Sequence, residues 1–188
     1  MGAVLEIESL LGEAAAAGRG RDFERCRLFA NRVVGLDRGN GAALHFLALS
    51  ALHLRRGGEL LAVLGHCQAI SGNAAALFNG VLRSLIDARD LGEIEFALEA
   101  VPQNNACWIV AKYYRGCADI VRGAHEPALR HFTEFRRLVP VYGPAIDFMD
   151  AHSFNVMFRQ GVTVGDGETV AKRLAGEGVP GMGTGLEV

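Results

Sequence analysis

Apolar residues recur at intervals of three and four along most of the chain, and stretches that alternate strictly between apolar and polar are nearly missing. Such spacing places apolar side chains on one face of a helix, so it predicts an all-helical protein. In one example, Phe23, Cys26 and Val33 form an apolar stripe, Asp22 is placed to cap the first turn, and Asn40 lies beyond the end. The pattern predicts a helix between Asp22 and Asn40.

Glycines, polar turns and prolines separate this helix from a series of others. The further predicted helices run over residues 42–54, 59–70, 74–88, 92–100, 105–122 and 126–139. Gly57 and Gly58 are expected to separate two of them, and Pro102 and Pro140 are expected to end the helices that precede them. Connections this short force sequential helices to pack antiparallel. Because a single hairpin cannot bury both of its apolar faces, three or more hairpins are expected to stack into a curved solenoid.

The segment RDFERCRLFANRVVGLDRGN, residues 21–40, resembles the second helix and closing loop of a tetratricopeptide repeat, a helix-turn-helix unit of 34 residues. In that family a small residue occupies position 20 of the unit, which is Cys26 here. An acidic residue with a polar loop closes the unit, which is Asp37 to Asn40 here. The resemblance implies that the next repeat begins at Gly41.

The stretch over residues 109–142 resembles the same repeat best. Five of its residues match the family's pattern in one register, with glycine or alanine where backbones touch, phenylalanine between repeats and proline at the end. These residues are Gly116, Gly123, Ala128, Phe132 and Pro140. Lys112 stands where the family has tryptophan. The resemblance to tetratricopeptide-repeat (TPR-like) proteins covers residues 7–142.

The resemblance implies an all-α fold, an α-solenoid of stacked antiparallel helical hairpins with a right-handed superhelix. Such a stack needs a capping element at its end, and residues 144–160 carry enough large apolar side chains to supply a C-terminal capping helix. Eight glycines follow within residues 161–188, which favours a tail or the start of a linker. The predicted domains are a helical repeat domain over residues 1–160 and a Gly-rich tail over residues 161–188.

Composition and charge narrow the class of partner. Half of the 188 residues are hydrophobic, and the formal net charge is −2, so no overall field favours nucleic acid or an anionic membrane. No apolar run approaches the roughly 18 residues of a membrane span, and the N-terminal stretch lacks the features of a secretory signal. A cytoplasmic protein is expected, and the abundance of Arg, Ala and Gly is typical of a GC-rich bacterial genome.

Candidate catalytic and metal-binding residues form no recognisable constellation. The four cysteines lie far apart with no C-x-x-C pair, at apolar helical positions that predict buried free thiols. The adjacent His66 and Cys67 would point about 100° apart on a helix, and no second pair completes a zinc site. Cys117 and His45 can meet only through folding, with no nucleophile elbow nearby. The sequence predicts no enzyme, no metal and no cofactor.

The binding surface implied by the resemblance is the concave face, which the first helix of each repeat lines. Nine residues form the predicted groove: His45, Leu49, Leu52, His53, Leu77, Val81, Tyr113, Cys117 and Ile120. Members of the family that bind acidic C-terminal peptides carry Lys, Asn and Arg at two positions of this face. This chain is predicted to have other residue types at those positions, which disfavours the binding of such peptides. A mostly apolar groove with a few polar groups suits an amphipathic helix or an extended apolar segment.

The predicted function is a non-catalytic scaffold or adaptor that binds such a segment of a protein or peptide partner. The chain's own C-terminal helix, or a second copy in a homodimer, can instead cover the same groove. Two alternative functions stay open. One is a secretion-chaperone-like TPR protein, and the other is the N-terminal module of a larger bacterial enzyme such as a glycosyltransferase or methyltransferase.

Overall fold

The computed structural model describes residues 2–142, and these residues form eight α-helices without a strand. The helices are α1 (Gly2–Arg19), α2 (Phe23–Leu36), α3 (Gly41–His53), α4 (Gly57–Ser71), α5 (Ala74–Ala88), α6 (Leu91–Ala100), α7 (Ala106–Val121) and α8 (His125–Tyr142). The all-helical prediction is confirmed for this part of the chain, in which no helix is long and apolar enough to cross a membrane. The capping helix predicted over residues 144–160 and the tail predicted over residues 161–188 lie outside the described residues.

The helices form four successive hairpins, α1/α2, α3/α4, α5/α6 and α7/α8. The first helices of the hairpins pack side by side in chain order, α1 on α3, α3 on α5 and α5 on α7, and we call them the first-helix layer. Each second helix packs against its own first helix, and α2, α4 and α6 also contact the first helix of the next hairpin. This is the predicted solenoid of stacked antiparallel hairpins.

The turn inside each hairpin contains one residue with a positive φ angle. These residues are Arg21 (58°), Arg55 (57°), Arg89 (59°) and Gly123 (75°), and they lie 34 residues apart along the chain. The left-handed conformation recurs because each hairpin leaves its first helix through the same kind of turn. The four hairpins therefore repeat with a period of 34 residues, which is the repeat length that the resemblance implies.

One core position of the repeat has the same environment in all four hairpins. The position that the resemblance assigns to a small residue holds Cys26, Leu60, Ile94 and Ala128, and all four are 0% exposed. Side-chain size differs among them while burial does not. The four hairpins are therefore equivalent at this core position although the side chains that fill it differ.

Side-chain caps explain where several helices begin. The Asp22 carboxylate accepts a hydrogen bond from the Arg25 N–H at 3.1 Å, as predicted. Asn40, predicted only to lie beyond a helix end, also begins α3, because its side-chain oxygen accepts from the Ala43 N–H at 3.1 Å. Asn105 caps α7 in the same way. Each cap satisfies a backbone donor that has no partner inside its helix.

Two predicted helix ends are wrong. Gly57 and Gly58 form the first turn of α4 instead of preceding it. Glycine suits this turn because α6 passes close by, and a Cβ at Gly57 would lie 3.2 Å from the Ala100 Cβ. Pro140 lies inside α8, which continues to Tyr142. A proline so near the C-terminal end of a helix removes one hydrogen bond and leaves the preceding turns intact.

The last hairpin depends on a close approach between α7 and α8. A Cβ built at Gly116 would lie 2.8 Å from Phe132 Cε1, so the phenyl ring packs directly on the α7 backbone. Phe132 is 3% exposed, and its ring centroid lies 5.6 Å from that of Tyr113. Phe132, which the resemblance places between repeats, therefore also packs within its own repeat, on Gly116.

Candidate functional site

A pocket of about 480 Å³ opens on the first-helix layer, where α1, α3 and α5 come together. We call it the inner pocket. Its apolar floor includes Phe46 and Leu49 from α3 and Leu85 and Ala88 from α5. Polar and charged side chains surround the floor: Arg19, Arg21, His45, His53, Ser84 and Asp90. An apolar floor with a few polar groups around it is the usual composition of a ligand pocket.

His45 forms one wall of the inner pocket, with its ring against α5. Ser84 Oγ lies 3.4 Å from His45 Nε2, and the same hydroxyl donates a hydrogen bond to the Gly80 carbonyl oxygen at 3.0 Å. Because the Ser84 hydroxyl donates its hydrogen bond to the Gly80 carbonyl oxygen, His45 is not placed as a base for Ser84. Burial lowers the pKa of His45, so the ring is neutral near pH 7. It offers a partner a neutral polar group.

A polar cluster joins the first three hairpins at one edge of the pocket. The His53 ring stacks on Phe23 with centroids 3.8 Å apart, and its Nε2 lies 3.6 Å from Asp90 Oδ2. Arg21 donates to both carboxylate oxygens of Asp90, at 2.9 and 3.1 Å. Glu93 Oε1 lies 3.9 Å from the other ring nitrogen of His53. We call these five residues the clasp, because they tie together the turns of three successive hairpins.

The centre of the clasp is shielded from solvent. The His53 side chain is 5% exposed, and burial lowers its pKa, although the nearby Asp90 carboxylate acts in the opposite direction. Burial raises the pKa of Glu93, against the effect of Arg55, whose Nη2 lies 3.2 Å from Glu93 Oε2. The neighbours of His53 already hold its ring in place, so it shapes the pocket wall and leaves little surface for a ligand.

The nine residues of the predicted groove fall into separate groups. His45, Leu49 and His53 line the inner pocket. Leu77 is partly exposed and lies outside the pocket lining. The remaining five are buried: Leu52 and Val81 (both 0% exposed), Tyr113 (2%), Cys117 (5%) and Ile120 (6%). A role for these five in binding stays a prediction.

The 34-residue period corrects the groove positions of the third repeat. The equivalents of His45 and Leu49 there are Asn79 and Arg83, two residues later than the predicted pair. Val81 therefore occupies a core position of the repeat, which explains its complete burial.

The corrected register changes one argument about ligands. Asn79 and Arg83 are residue types that peptide-clamping tetratricopeptide proteins carry at these positions, so the third repeat does not by itself argue against an acidic peptide. Asn79 is already engaged, since it accepts a hydrogen bond from the Tyr114 hydroxyl at 2.9 Å. The other three repeats place no Lys or Arg at the equivalent positions. A full carboxylate clamp is absent from residues 2–142.

Sequence reasoning missed the residues that frame the pocket from the turns, above all Arg21, Phe23 and Asp90. They lie outside the first-helix positions that were used to build the groove. One signal was available in the sequence, because Arg21, Arg55 and Arg89 recur at the 34-residue spacing. That recurrence marks the turns and with them the edge of the pocket.

The described residues hold no metal cluster, and at least two of their thiols are not activated. No group of three His, Cys, Asp or Glu side chains in residues 2–142 is close enough to share a metal ion. All four cysteines are buried and free, as predicted. Burial raises the pKa of Cys107 to about 12 and also raises the pKa of Cys117, so both thiols stay protonated at neutral pH.

Replacing His45 by glutamine is expected to reduce the loss of stability on acidification. Burial lowers the pKa of His45 below its usual value of 6.5, so the unfolded chain binds a proton that the folded chain does not, and stability falls as the pH falls below 6.5. Glutamine keeps a polar group near Ser84 and does not titrate. Urea denaturation at about pH 7.5 and about pH 5.5 should show a smaller drop in the free energy of unfolding for the variant.

Other groups do not obscure this comparison. His53 acts in the same direction as His45, and Glu93, with its raised pKa, acts in the opposite direction at lower pH. Both are present in the wild type and in the variant, so they cancel in the difference. An equal drop in the two proteins would mean that the His45 ring titrates in the folded state as it does in the unfolded chain.

No protein-family model matches the chain, and no curated protein matches it. A solved structure from the functional characterization of Pseudomonas aeruginosa pilF is similar over 94% of this chain and 86% of that chain, with 14% sequence identity and a TM-score of 0.42. A similarity this distant supports no conclusion about function, which has to come from the geometry of the inner pocket.

Proposed function

We propose that the chain is a non-catalytic protein-interaction scaffold whose inner pocket binds an apolar or amphipathic segment of a protein partner. One observation carries the proposal: the pocket exposes apolar surface at Leu49 and Ala88 beside the neutral His45 and the cationic Arg19. An amphipathic segment matches both kinds of surface at once.

The two kinds of surface have different roles in binding. Burying one large apolar side chain of the partner on the floor contributes about 1.5–3 kcal/mol. His45 and Arg19 contribute orientation, since a ring nitrogen and an exposed guanidinium at the end of α1 each pair with only certain partner groups, the guanidinium as a donor. The apolar floor therefore supplies affinity, and the polar groups select the register of the bound segment.

Several finer assignments belong to the same proposal. They are membership of the tetratricopeptide-like proteins, a right-handed superhelix, and a cytoplasmic bacterial setting. The 34-residue period supports the first of them. The net charge of −2 supports a protein partner over nucleic acid, because duplex binding draws mainly on a basic surface.

Peptides selected from a phage-displayed library on the wild-type chain are expected to lose binding when Leu49 is replaced by glutamate. A carboxylate on the floor would have to be desolvated by any apolar ligand. The dissociation constant, measured by titration calorimetry, should rise at least about tenfold. Leu28→Glu is the matched control, because Leu28 is 57% exposed on α2 and does not line the pocket.

A second variant guards against an effect on folding. Ala88→Trp fills the pocket at an exposed position without removing an apolar side chain. Circular dichroism and thermal melting should show that both variants are as helical and as fully folded as the Leu28→Glu control. If Leu49→Glu and Ala88→Trp both bind the selected peptides as the wild type does, the inner pocket is not the binding site. A library that yields no binding peptide would count against the function itself.

A further inference from the structure

Two positions of α7 carry charged side chains where the other repeats have buried apolar ones. These side chains are Lys112 and Arg115. By the 34-residue period, their six equivalents in the first three repeats are all buried and apolar: Leu10, Ala14, Leu44, Leu47, Phe78 and Val81. Because a charged group loses hydration at such a position, it needs a partner of opposite charge. The contact between α7 and its neighbours α6 and α8 is therefore partly ionic.

Glutamates of the two neighbouring helices supply these partners. Lys112 Nζ pairs with Glu134 of α8. Arg115 Nε lies 3.4 Å from Glu95 Oε2 of α6, and Arg122 Nη1 lies 3.3 Å from the other carboxylate oxygen of Glu95. The two cations at core positions are thus neutralised, and both oxygens of Glu95 are engaged.

A cavity of about 310 Å³ opens between α6 and α7, beside these ion pairs. We call it the α6–α7 pocket, and it shares no lining residue with the inner pocket. Trp108 and Leu98 supply its apolar surface, and Glu95 and Glu99 supply its carboxylates. Lys112 Nζ lies 5.0 Å from the centroid of the Trp108 ring, so this indole already interacts with one cation.

One carboxylate of the α6–α7 pocket lacks a counter-ion. Glu99 is exposed, and it makes no ion pair with any residue between 2 and 142. It lies in the last turn of α6, which has no basic residue and where the helix dipole adds partial negative charge. Asn105 caps the start of α7 across the turn and accepts from the Cys107 N–H at 2.9 Å. The pocket therefore combines an indole with an uncompensated negative charge.

We propose that the α6–α7 pocket binds an arginine side chain of a protein partner. A guanidinium can pair with the Glu99 carboxylate while its flat face contacts the indole of Trp108. The aliphatic part of the arginine side chain covers Leu98. A divalent metal ion fits less well, because no group of three His, Cys, Asp or Glu side chains in the described part of the chain can share one.

Trp108 is the single tryptophan of the chain, so its fluorescence reports on this pocket directly. The full-length protein is titrated with a pentapeptide that has one arginine between alanines and is capped at both ends. The emission of Trp108 is expected to change and to saturate. A matched pentapeptide carries citrulline, which has nearly the same shape as arginine and no charge. It should bind at least about threefold more weakly, because it loses both the ion pair and the cation–π contact.

Reversing the free charge gives a sharper test. Glu99→Lys is expected to weaken binding of the arginine peptide at least about tenfold, because two like charges then meet at the pocket. Since Glu99 is exposed and a cation suits the last turn of a helix, this variant should melt at no lower temperature than the wild type. Glu8→Lys, the same change at an exposed position of α1, is the matched control and should leave the affinity unchanged.

Three results would each overturn the proposal. They are a wild type whose Trp108 emission shows no saturable change, equal affinities for the arginine and citrulline peptides, and an unchanged affinity in Glu99→Lys. The proposed function is tested separately, because Leu49→Glu alters the inner pocket and should leave the titration with the arginine peptide as it is. A chain that fails at one pocket can still bind at the other.

Discussion

Replacement of Leu52 by alanine is expected to lower the free energy of unfolding by about 2–5 kcal/mol. Leu52 is 0% exposed in the main apolar core, so losing its side chain leaves a cavity that its neighbours fill only in part. Leu49 lies nearly one turn earlier on α3 and is partly exposed at the inner pocket. The same substitution there is expected to cost less than about 1.5 kcal/mol, because part of its surface is already in water.

The two leucine variants distinguish a core position from a pocket position on a single helix. The resemblance places Leu49 and Leu52 in one groove, and only their burial distinguishes them. Urea denaturation of both variants beside the wild type gives the two free energies under the same conditions. If Leu52→Ala costs no more than Leu49→Ala, the side chain of Leu52 is open to solvent and the groove extends beyond the inner pocket.

Replacement of Gly116 by alanine is expected to lower the free energy of unfolding by about 1–3 kcal/mol. The added methyl group would lie 2.8 Å from Phe132 Cε1, well inside van der Waals contact. The ring cannot swing away cheaply, because it is 3% exposed and packed against Tyr113. Either the ring leaves its rotamer or α7 and α8 move apart, and both lose packing.

A matched glycine provides the control for this prediction. Gly65 lies in the middle of α4, and a Cβ there would have no atom within 4 Å. Gly65→Ala is therefore expected to raise stability by about 0.5–1 kcal/mol, since alanine loses less backbone entropy in a helix. Gly116→Ala combined with Phe132→Leu should cost less than the sum of the two single changes. Strict additivity would show that the two positions do not touch.

Much of the fold is predictable from the sequence because helix ends depend on local chemistry. The helix predicted over residues 74–88 is α5, Ala74–Ala88, bounded by Asn73 and by Arg89 in the left-handed conformation. Asp22 and Asn40 form side-chain caps with the backbone a few residues on, so short-range pattern is enough. The error at Pro140 arose because a proline costs less near a helix end than in its middle.

The inner pocket is less predictable because exposure depends on neighbours far along the chain. Leu49 and Val81 look alike as apolar residues of a first helix, yet one lines the pocket and the other is 0% exposed. The clasp joins Arg21 to Asp90, 69 residues away, through an ion pair that no local spacing reveals. Counting from the turns would have recovered the register of the third repeat, but not which of its side chains meet water.

The inner pocket takes its walls from α1, α3 and α5, which belong to three different hairpins. In a stack of repeats each hairpin mainly touches its neighbours, so small changes of angle between hairpins accumulate along the stack. The width of the pocket is then a measure of how strongly the stack is bent. A ligand that fits one width of the inner pocket favours the one curvature of the stack that gives this width, and its binding opposes bending away from that curvature. Mechanical tension on the two ends of the stack changes the same curvature, so tension and release of the ligand are thermodynamically linked.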